Sequence, residues 1–397
     1  MFGYKTGCAL FALLLGLSAV PAVAETPGVT DTEIKIGQNA AFSGPASVYG
    51  QISVAEAHYF QMINDQGGIN GRKIKLIALD DAYSPPKAVE VVRRLVEDEQ
   101  VAILFQTLGT ASNMAIRKYV NQKKVPDIWI GSGASVFSAS SKDYPWTIQF
   151  QPSYRVEGQM YAKYILATKP DAKIGILYQN DDLGRDYVAG LKDGLGDKFD
   201  KMVVKNISYE ITDPTIDSQI LDLKSSGADV LYDVSTPKFS AMSIRKATDI
   251  DWHPMHIIDS NGALVKPALE SAGFEKSVGV ITAQYLKDPT DPGWADDAGM
   301  KEFMSWKMKY APEADVSNPV WYYGYTMAQA LVVVLKQAGK DLSRENIMHA
   351  ATHLPDTTTL PLVLPGIKIS TSPTDYQAMK GMRLVQFDGK MYKLLPE

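Results

Sequence analysis

The chain has 397 residues, of which 45% are apolar and 21% are charged, and its formal net charge is −5. This length predicts two or three domains, each large enough for a core of its own. The ordinary composition excludes disorder, collagen and coiled coil as the main state. Because Lys and Arg are not in excess, the chain lacks the positive surplus that neutralises phosphates, and we expect no nucleic-acid partner.

Residues 1–24 have the three parts of a secretory signal peptide. The basic Lys5 comes first, a mostly apolar run follows from Cys8 to Val20, and residues 22–24 form a small-x-small end. Cys8 is the only cysteine and lies at the start of the apolar run, whereas a lipoprotein would need one at its end. We therefore expect an exported protein that is cleaved after Ala24 and has no disulfide.

Two stretches of the chain resemble each other. Residues 74–134 match residues 202–263 at a constant offset of 128, without a gap until the last two residues. Ile116-Arg117-Lys118 falls on Ile244-Arg245-Lys246. A unit of about 120 residues is too long for a solenoid repeat. The pattern therefore predicts two similar domains.

Short apolar runs alternate with amphipathic segments in both halves. The runs are rich in β-branched residues and predict strands at 34–39, 73–79, 102–105, 128–130, 174–178, 202–207, 230–233 and 256–258. Apolar residues at helical spacing predict helices between them. Alternating strands and helices indicate parallel sheets covered on both faces, so we predict two doubly wound lobes. The later part of the chain predicts helices at 294–310 and 320–338, an extended connector at 354–365 and a hairpin around Asp388-Gly389.

Ligands of open α/β sheets bind beyond the carboxyl ends of the strands, which singles out several loops. These loops cover residues 42–49, 106–112, 131–135, 179–185, 235–238 and 260–263. Small or hydroxyl-bearing residues recur in the earlier loops: Thr107, Gly109, Thr110, Ser112, Ser132, Gly133 and Ser135. Such residues let backbone N–H groups at a helix start approach an anion. Any one Ser or Thr is explained as a helix cap, but the recurrence favours a site for a small carboxylate.

The sequence offers no motif for catalysis. It lacks a G-x-S-x-G elbow, a P-loop and a complete dinucleotide fingerprint, and its mature part has no cysteine. His349 and His353 are four residues apart, but no Glu follows the first, so we interpret them as solvated. The pairs Asp80-Asp81 and Asp181-Asp182 are typical of turns and helix caps, and Trp321–Tyr323 is typical of a core with one ring at a cleft. We expect a protein that is not an enzyme and that uses no cofactor or metal.

Several motifs together carry a family resemblance. They are Ser43-Gly44-Pro45 with Tyr49-Gly50, the run Asn64-Asp65-Gln66-Gly67-Gly68-Ile69-Asn70-Gly71-Arg72, Asp80-Asp81, Gly131-Ser132-Gly133-Ala134-Ser135, and Leu183-Gly184-Arg185-Asp186-Tyr187. The chain resembles the leucine/isoleucine/valine-binding proteins, which are periplasmic solute-binding proteins of ABC importers. The resemblance implies an α/β type I fold, with two doubly wound parallel-sheet lobes, a hinge and a central cleft. Lobe one would comprise about 25–147 plus 284–367, and lobe two about 148–283 plus 368–397.

The resemblance also implies where the ligand binds. In that family, loops of lobe one hold the ligand's carboxylate, and an aromatic and an acid of lobe two help to hold its ammonium. By position, Thr110–Ser112 and Ala134-Ser135 would be the carboxylate clamp. The full set of expected ligand-binding residues is Tyr49, Thr107, Thr110, Ala111, Ser112, Ala134, Ser135, Tyr154, Asp181, Ser235 and Asn261.

Two departures from the family pattern leave the ligand open. Leu183 stands where an aromatic is common, and Ser260-Asn261-Gly262 stands where branched-chain amino-acid binders often have a Glu. An ammonium without a counter-charge is costly in a dry cleft, so Asp181 or Asp233 would have to replace that Glu. Otherwise the ligand is a carboxylate without an amine, such as an aromatic acid. The cleft aromatics that would suit such an acid are Phe42, Tyr49, Tyr154 and Phe239.

The resemblance implies a soluble receptor that captures a small carboxylate ligand by hinge closure and passes it to an inner-membrane ABC permease. A branched-chain or other hydrophobic amino acid is the expected ligand, and an aromatic or aliphatic acid without the amine is the alternative. A ligand sensor is a further alternative, although we expect no transmembrane helix or effector domain. We expect a monomer located in the periplasm.

Overall fold

The described part of the chain forms two sheets. The computed structural model describes residues 1–3 and 26–396, so the predicted signal peptide falls almost wholly outside the described residues. The first sheet contains β1 (Glu33–Ala40), β2 (Lys73–Asp80), β3 (Ile103–Phe105), β4 (Asp127–Ile130) and β5 (Thr147–Gln149). These strands run parallel in the spatial order β2-β1-β3-β4-β5.

The second sheet adds an antiparallel hairpin to a parallel sheet. It contains β6 (Ile174–Gln179), β7 (Val203–Tyr209), β8 (Val230–Val234), β9 (Met255–Ile258), β10 (Ile281–Gln284), β11 (Arg383–Phe387) and β12 (Tyr392–Leu394). Their spatial order is β12-β11-β10-β9-β8-β6-β7. Strands β6 to β10 are parallel, whereas β11 and β12 pair antiparallel across the predicted Asp388-Gly389 turn.

Helices connect the parallel strands and pack on both sheets. They are α1 (Gly50–Asp65), α2 (Pro85–Glu97), α3 (Thr110–Gln122), α4 (Ser135–Ala139), α5 (Tyr154–Thr168), α6 (Asp182–Leu195), α7 (Phe199–Met202), α8 (Asp217–Ser225), α9 (Pro237–Asp249), α10 (Phe274–Ser277), α11 (Ala298–Tyr310), α12 (Val320–Ala338) and α13 (Arg344–Ala351). We call lobe one the first sheet with α1–α4 and α11–α13, and lobe two the second sheet with α5–α10. Within residues 1–3 and 26–396, no helix is both long and apolar enough to cross a bilayer.

The sequence explains how the helices near the cleft form and pack. Helix α2 begins at Pro85, where proline suits the first turn, and its buried Ala88, Val92 and Leu95 share one face. Helix α12 packs closely on α1 at Gly324, because a Cβ there would lie only 2.6 Å from the Ile52 carbonyl oxygen. This close approach places the first turn of α12 beside the start of α1, at the edge of the cleft.

Both sheets are built from the same succession of strands. In the first, β1 lies between β2 and β3, and β4 follows β3; in the second, β6 lies between β7 and β8, and β9 follows β8. Ile116 of α3 and Ile244 of α9 are both buried, and each lies on the helix after the third strand of its sheet. The duplication predicted from the 128-residue offset is therefore confirmed in the topology.

The sheets and cores place two lobe boundaries differently from the approximate ones that the resemblance implies. The first crossing lies after Gln149 rather than residue 147, because β5 still pairs with β4. The last crossing, expected near residue 367, lies beyond Met379. The residues that place this segment in the core of lobe one are Ile369, Tyr376, Ala378 and Met379. The segment is extended and irregular, so no strand or helix periodicity in the sequence showed which lobe it joins.

Candidate functional site

A cavity lies between the lobes, at the carboxyl ends of strands from both sheets. It measures about 1070 Å³, with its open mouth included. Its walls are rich in tyrosine: Tyr49, Tyr83, Tyr154, Tyr285, Tyr322, Tyr323 and Tyr392. Among the described lining residues there is no Lys, Arg or His, and Asp259 is the only carboxylate. No three His, Cys, Asp or Glu side chains within residues 26–396 cluster as a metal site.

The amino terminus of α3 belongs to the lobe-one wall. Gly109 precedes the helix with a φ of 97°, a conformation that favours glycine, and no side chain caps the helix. Thr110 Oγ1 lies 2.8 Å from Ser132 Oγ, and both side chains are buried. The first N–H groups of an uncapped helix and a neighbouring hydroxyl are donors for an anion.

The start of α9 is the duplicate of the α3 start, but it has fewer free donors. Pro237 is the first residue of α9 and has no N–H group. The N–H groups of Phe239 and Ser240 bond to the carbonyl of Thr236. Thr236 Oγ1 is buried in the cavity wall without a hydrogen-bond partner. Lobe two therefore presents a hydroxyl here rather than an anion-binding helix start.

Asp259 follows β9 and supplies the carboxyl group of the cavity lining. Its Oδ1 accepts hydrogen bonds from the Asn261 N–H (3.0 Å), Asn261 Nδ2 (3.2 Å) and the Gly262 N–H (3.2 Å). Its Oδ2 accepts one, from the Ser235 N–H at 2.9 Å, which leaves Oδ2 able to accept another. Burial raises the pKa of Asp259 well above its usual range, and the Glu157 carboxyl raises it further. A cation bound beside Asp259 would favour the charged carboxylate.

A second buried carboxylate, Glu157 of α5, is fully used by the protein itself. Its Oε1 accepts from the Ser260 N–H and the Tyr161 hydroxyl, each at 2.7 Å. Its Oε2 accepts from the Tyr187 hydroxyl and Ser260 Oγ, each at 2.8 Å. Burial raises the pKa of Glu157, and these donors oppose that rise. Because Ser260 is the residue after Asp259, Glu157 fixes the loop that carries the cavity's carboxylate.

A hydrogen-bond network joins tyrosines of both lobes. The Tyr323 hydroxyl lies 3.0 Å from Gln151 Oε1 and 3.2 Å from Gln106 Oε1. Gln151 Nε2 donates to the Tyr154 hydroxyl at 2.8 Å. The Tyr154 ring stacks on Tyr187 with 4.6 Å between centroids. Gln151 lies at the first crossing between lobes, so it orients one ring from each lobe.

Tyr83 reaches the cavity through a turn after β2. Ala82 and Tyr83 have φ values of 53° and 59°, which are uncommon for residues other than glycine. Asp80 Oδ1 accepts the Ala82 N–H at 3.0 Å, and Asp81 Oδ1 accepts the Tyr83 N–H at 2.8 Å. The predicted turn role of Asp80-Asp81 is confirmed, and its effect is to hold Tyr83 in the lining.

The lobes also touch directly across the cavity. The Tyr49 hydroxyl of lobe one donates to the Asn261 carbonyl of lobe two at 3.1 Å. Burial raises the pKa of Tyr49 well above its usual value, so the hydroxyl stays a donor. This contact is possible only when the two lobes lie close together, so the structure is a closed form.

The structure brings together only part of the predicted site. The predicted residues that line the cavity are Tyr49, Thr110, Tyr154, Ser235 and Asn261. Those outside the lining are Thr107, Ala111, Ser112, Ala134, Ser135 and Asp181. The Thr107 hydroxyl instead lies in the core of lobe one, 2.9 Å from Asp127 Oδ1. Asp181 caps α6 and accepts the Gly184 N–H at 3.1 Å.

The donors of Ser135 are already occupied by a carboxylate of the protein. Asp186 of α6 accepts the Ser135 N–H at 2.7 Å and the Ser135 hydroxyl at 2.6 Å. Helix α4 belongs to lobe one, yet its Phe137 packs in the core of lobe two. The clamp expected at Ala134-Ser135 is therefore a contact between the lobes in this structure.

Other expected residues also have structural partners. Asp233, expected to replace the missing Glu, bonds to Ser243 Oγ and lies 3.1 Å from His256 Nε2, away from the lining. Of the expected cleft aromatics, Phe42 is 43% exposed and outside the lining. Phe239 is buried against Tyr209, with 4.3 Å between ring centroids.

Several lining residues that follow strands were not predicted from the sequence. Asp259 comes directly after β9, whereas the predicted loop began one residue later. Gln151 and Tyr285 follow β5 and β10, two strands that were not predicted. The predicted strand ended at residue 258 and the predicted loop began at residue 260. Starting the loop directly after the strand would have included Asp259.

Comparisons with known proteins agree with this geometry. Residues 33–391 match the family model described as "Periplasmic binding protein". A curated relative, the Leu/Ile/Val-binding protein homolog 8 of Brucella suis biovar 1 (strain 1330), is 26% identical over 405 residues, which cover 98% of this chain and 97% of the relative.

Solved structures show the same fold. A "possible leucine/isoleucine/valine-binding protein" from Rhodopirellula baltica SH 1 has a TM-score of 0.80 and 22% identity, covering 94% of this chain and 98% of its own. A fatty acid ABC transporter substrate-binding protein from Thermomonospora curvata has a TM-score of 0.77 and 20% identity, covering 94% and 93%. A branched-chain amino acid transporter substrate binding protein from Streptococcus pneumoniae, in complex with isoleucine, has a TM-score of 0.75 and 14% identity, covering 92% and 99%. Since the family model spans most of its length, the chain belongs to the periplasmic binding proteins.

Proposed function

We propose that the chain is the extracytoplasmic receptor of an ABC importer and that its ligand is a hydrophobic amino acid, either branched-chain or aromatic. The opposite polarity of the two cavity walls carries this proposal. Lobe one contributes the uncapped start of α3, and lobe two contributes the buried carboxylate of Asp259. A zwitterion complements both walls at once.

The ligand's carboxylate is assigned to the start of α3. Its N–H groups and the Thr110 hydroxyl are donors in the cavity wall, and the helix dipole favours negative charge there. The equivalent start of α9 lacks one N–H because of Pro237. The asymmetry between the two duplicated helix starts therefore sets which lobe takes the anion.

The ligand's ammonium is assigned to Asp259. Asp259 Oδ2 accepts one hydrogen bond from the protein, so an ammonium N–H fits as a second. The cavity lining includes no positive side chain that competes for this carboxylate among the described residues. An ammonium would also lower the raised pKa of Asp259 and keep it charged.

The ligand's side chain is assigned to the apolar part of the lining. The aliphatic residues there are Ile52, Leu108, Leu183, Leu264, Leu286 and Val320. The tyrosine rings add flat apolar faces that suit either an aliphatic or an aromatic group. Full burial of such a side chain contributes roughly 1.5–3 kcal/mol.

The proposed setting is the periplasm, with residues 1–24 as the cleaved signal. Binding closes the lobes, and the closed protein delivers its ligand to an inner-membrane permease without chemical change. The family supports a binding role, and the Streptococcus pneumoniae neighbour has isoleucine in its complex. We propose that the protein acts as a monomer.

A carboxylate without an amine is the second candidate. Asp259 already accepts hydrogen bonds from three residues of its own lobe, and burial favours its neutral form. The site therefore tolerates the absence of an ammonium. The fatty acid transporter protein from Thermomonospora curvata is a structural neighbour with such a ligand in its name.

Calorimetry with paired ligands separates the two candidates. Ligand-stripped protein is titrated with L-leucine and L-phenylalanine, and with their deamino analogues 4-methylpentanoate and 3-phenylpropanoate. The amino-acid proposal predicts that each amino acid binds more tightly than its analogue. It also predicts that Asp259→Asn weakens amino-acid binding by about tenfold or more while changing analogue binding little.

Asp233→Asn is the matched control, because Asp233 is equally buried but lies outside the lining. If the deamino analogues bind more tightly than the amino acids, the ligand is a carboxylate without an amine and the amino-acid proposal is wrong. No binding of either class would overturn the carboxylate proposal.

A further inference from the structure

Polar contacts join the lobes outside the cavity lining as well. One is the bond between Ser135 and Asp186. Another is the ion pair between Lys266 Nζ and Asp315 Oδ2. Lys266 and Asp315 are 47% and 39% exposed and do not line the cavity, so a ligand in the cavity need not touch them.

The two partners of this ion pair are fixed in different lobes. Lys266 lies in a single π-helical turn, Val265–Glu270, whose Val265 and Leu269 are buried in the core of lobe two. Asp315 lies in the loop before α12, next to Ala314 in the core of lobe one. Asp315 Oδ1 accepts the N–H and hydroxyl of Ser317 at 3.0 and 2.6 Å, so its carboxylate is held toward lobe two.

The ion pair joins two segments that continue directly into the cavity wall. On lobe two, the segment 259–266 begins at Asp259, passes Leu264 in the lining and ends at Lys266. On lobe one, the segment 315–320 begins at Asp315 and ends at Val320 in the lining. Closing these segments over the cavity therefore brings the opposite charges together.

We propose that Lys266 and Asp315 form an electrostatic latch that stabilises the closed form and so increases ligand affinity without contacting the ligand. This inference rests on the proposed function, in which ligand binding closes the lobes. The pair is attractive only when the lobes are closed, so it raises the closed fraction. Apparent affinity rises in proportion to the fraction of protein in the binding-competent state.

The expected change in ligand affinity is small, but its dependence on salt concentration identifies it as electrostatic. An exposed ion pair changes an equilibrium by about two- to fivefold, and the change is screened by salt. Lys266→Gln and Asp315→Asn should each weaken binding of L-leucine or L-phenylalanine, whichever the wild type binds more tightly, about two- to fivefold in dilute buffer. At about 500 mM salt the wild type should approach the variants.

A charge exchange separates electrostatics from structure. The double variant Lys266→Asp with Asp315→Lys should regain most of the lost affinity, since the pair is restored with reversed sign. Asp222→Asn is the matched control, because Asp222 is an exposed carboxylate that pairs with Lys205 at 3.5 Å within lobe two. This variant makes the same change of net charge as Asp315→Asn and should bind as the wild type does.

A second readout needs no ligand. Residues 25–397 contain no cysteine, so dyes are attached specifically to Glu90→Cys on α2 and Lys201→Cys on α7, both exposed. Single-molecule energy transfer on the unliganded protein should show a smaller closed population after Asp315→Asn, and recovery in the charge-exchanged variant.

The two readouts distinguish the latch from the receptor function. An unchanged closed population and affinity in both single variants would overturn the latch, as would a charge-exchanged variant no better than the singles. Absence of binding by L-leucine, L-phenylalanine and their deamino analogues to the wild type would overturn the proposed function instead, and the energy-transfer measurement would still decide the latch.

Discussion

Thr107 and Thr110 are three residues apart but have different surroundings. Thr110 lines the cavity, whereas Thr107 Oγ1 bonds to Asp127 and Asn113 in the core. Thr110→Ala should therefore weaken binding of L-leucine or L-phenylalanine about tenfold, the effect of losing about 1.5 kcal/mol from a hydrogen bond to a charged group. Thr107→Ala should lower the melting temperature and leave affinity unchanged. Calorimetric titration and thermal unfolding of both variants test this contrast. A loss of affinity in Thr107→Ala with unchanged affinity in Thr110→Ala would contradict the proposed site.

Asp127 is predicted to make stability depend on pH. Burial raises its pKa to about 7, and its Oδ2 has no hydrogen-bond partner. In the unfolded chain the pKa is about 3.9, so between about pH 4 and 7 the folded state holds a proton that the unfolded state releases. The free energy of unfolding contributed by this group therefore falls as pH rises through that window.

Asp127→Asn should remove this contribution. Urea unfolding of wild type and variant at several pH values measures it. The stability of the variant relative to the wild type should increase from about pH 4 to 7 and level off above. A constant difference over this range would show that Asp127 ionises normally.

At the scale of elements, the loop after β4 and the start of α5 are closely packed. A Cβ at Gly133 would lie 2.3 Å from the Pro152 carbonyl oxygen and 2.7 Å from the Tyr154 ring. Gly133→Ala should displace Tyr154, cost about 1–3 kcal/mol of stability and weaken ligand binding. Gly381→Ala is the control near the last crossing, since its Cβ would meet only an Ile367 side chain at 3.9 Å. Similar melting temperatures and affinities for the two variants would contradict the prediction.

Sequence patterns predicted the helices and strands better than they predicted which side chains reach the cavity. The apolar runs predicted most of the strands, because burial periodicity is local, and the 128-residue offset predicted two similar lobes. Strands β5 and β10 were not predicted. The position of Tyr83 depends on two residues with positive φ, and that of Tyr322 on packing between α1 and α12, which are far apart in sequence. Ser135 was predicted to bind a ligand anion, but its N–H and hydroxyl donate hydrogen bonds to the Asp186 carboxylate of the other lobe. Such contacts depend on tertiary structure, which local patterns do not encode.

At the scale of the whole molecule, ligand binding is predicted to change the shape. Polar contacts between the lobes include Tyr49 with Asn261, Ser135 with Asp186 and Lys266 with Asp315. A bound amino acid would add contacts to both walls and shift the population toward the closed form. Small-angle scattering should show a smaller radius of gyration at saturating L-leucine or L-phenylalanine. If the unliganded protein is open and its radius of gyration does not change at saturating ligand, the prediction that binding closes the lobes is wrong.

The central feature of the proposed site is a ligand carboxylate held by lobe one. Calorimetric titration of ligand-stripped protein with L-leucine and L-leucinamide, and with L-phenylalanine and L-phenylalaninamide, tests it most directly. The amide keeps the amine and the side chain but loses the charge that strengthens hydrogen bonds from the start of α3. We predict that the acid of the better-binding pair binds at least about tenfold more tightly than its amide. Equal binding of acid and amide would contradict a carboxylate site at the start of α3.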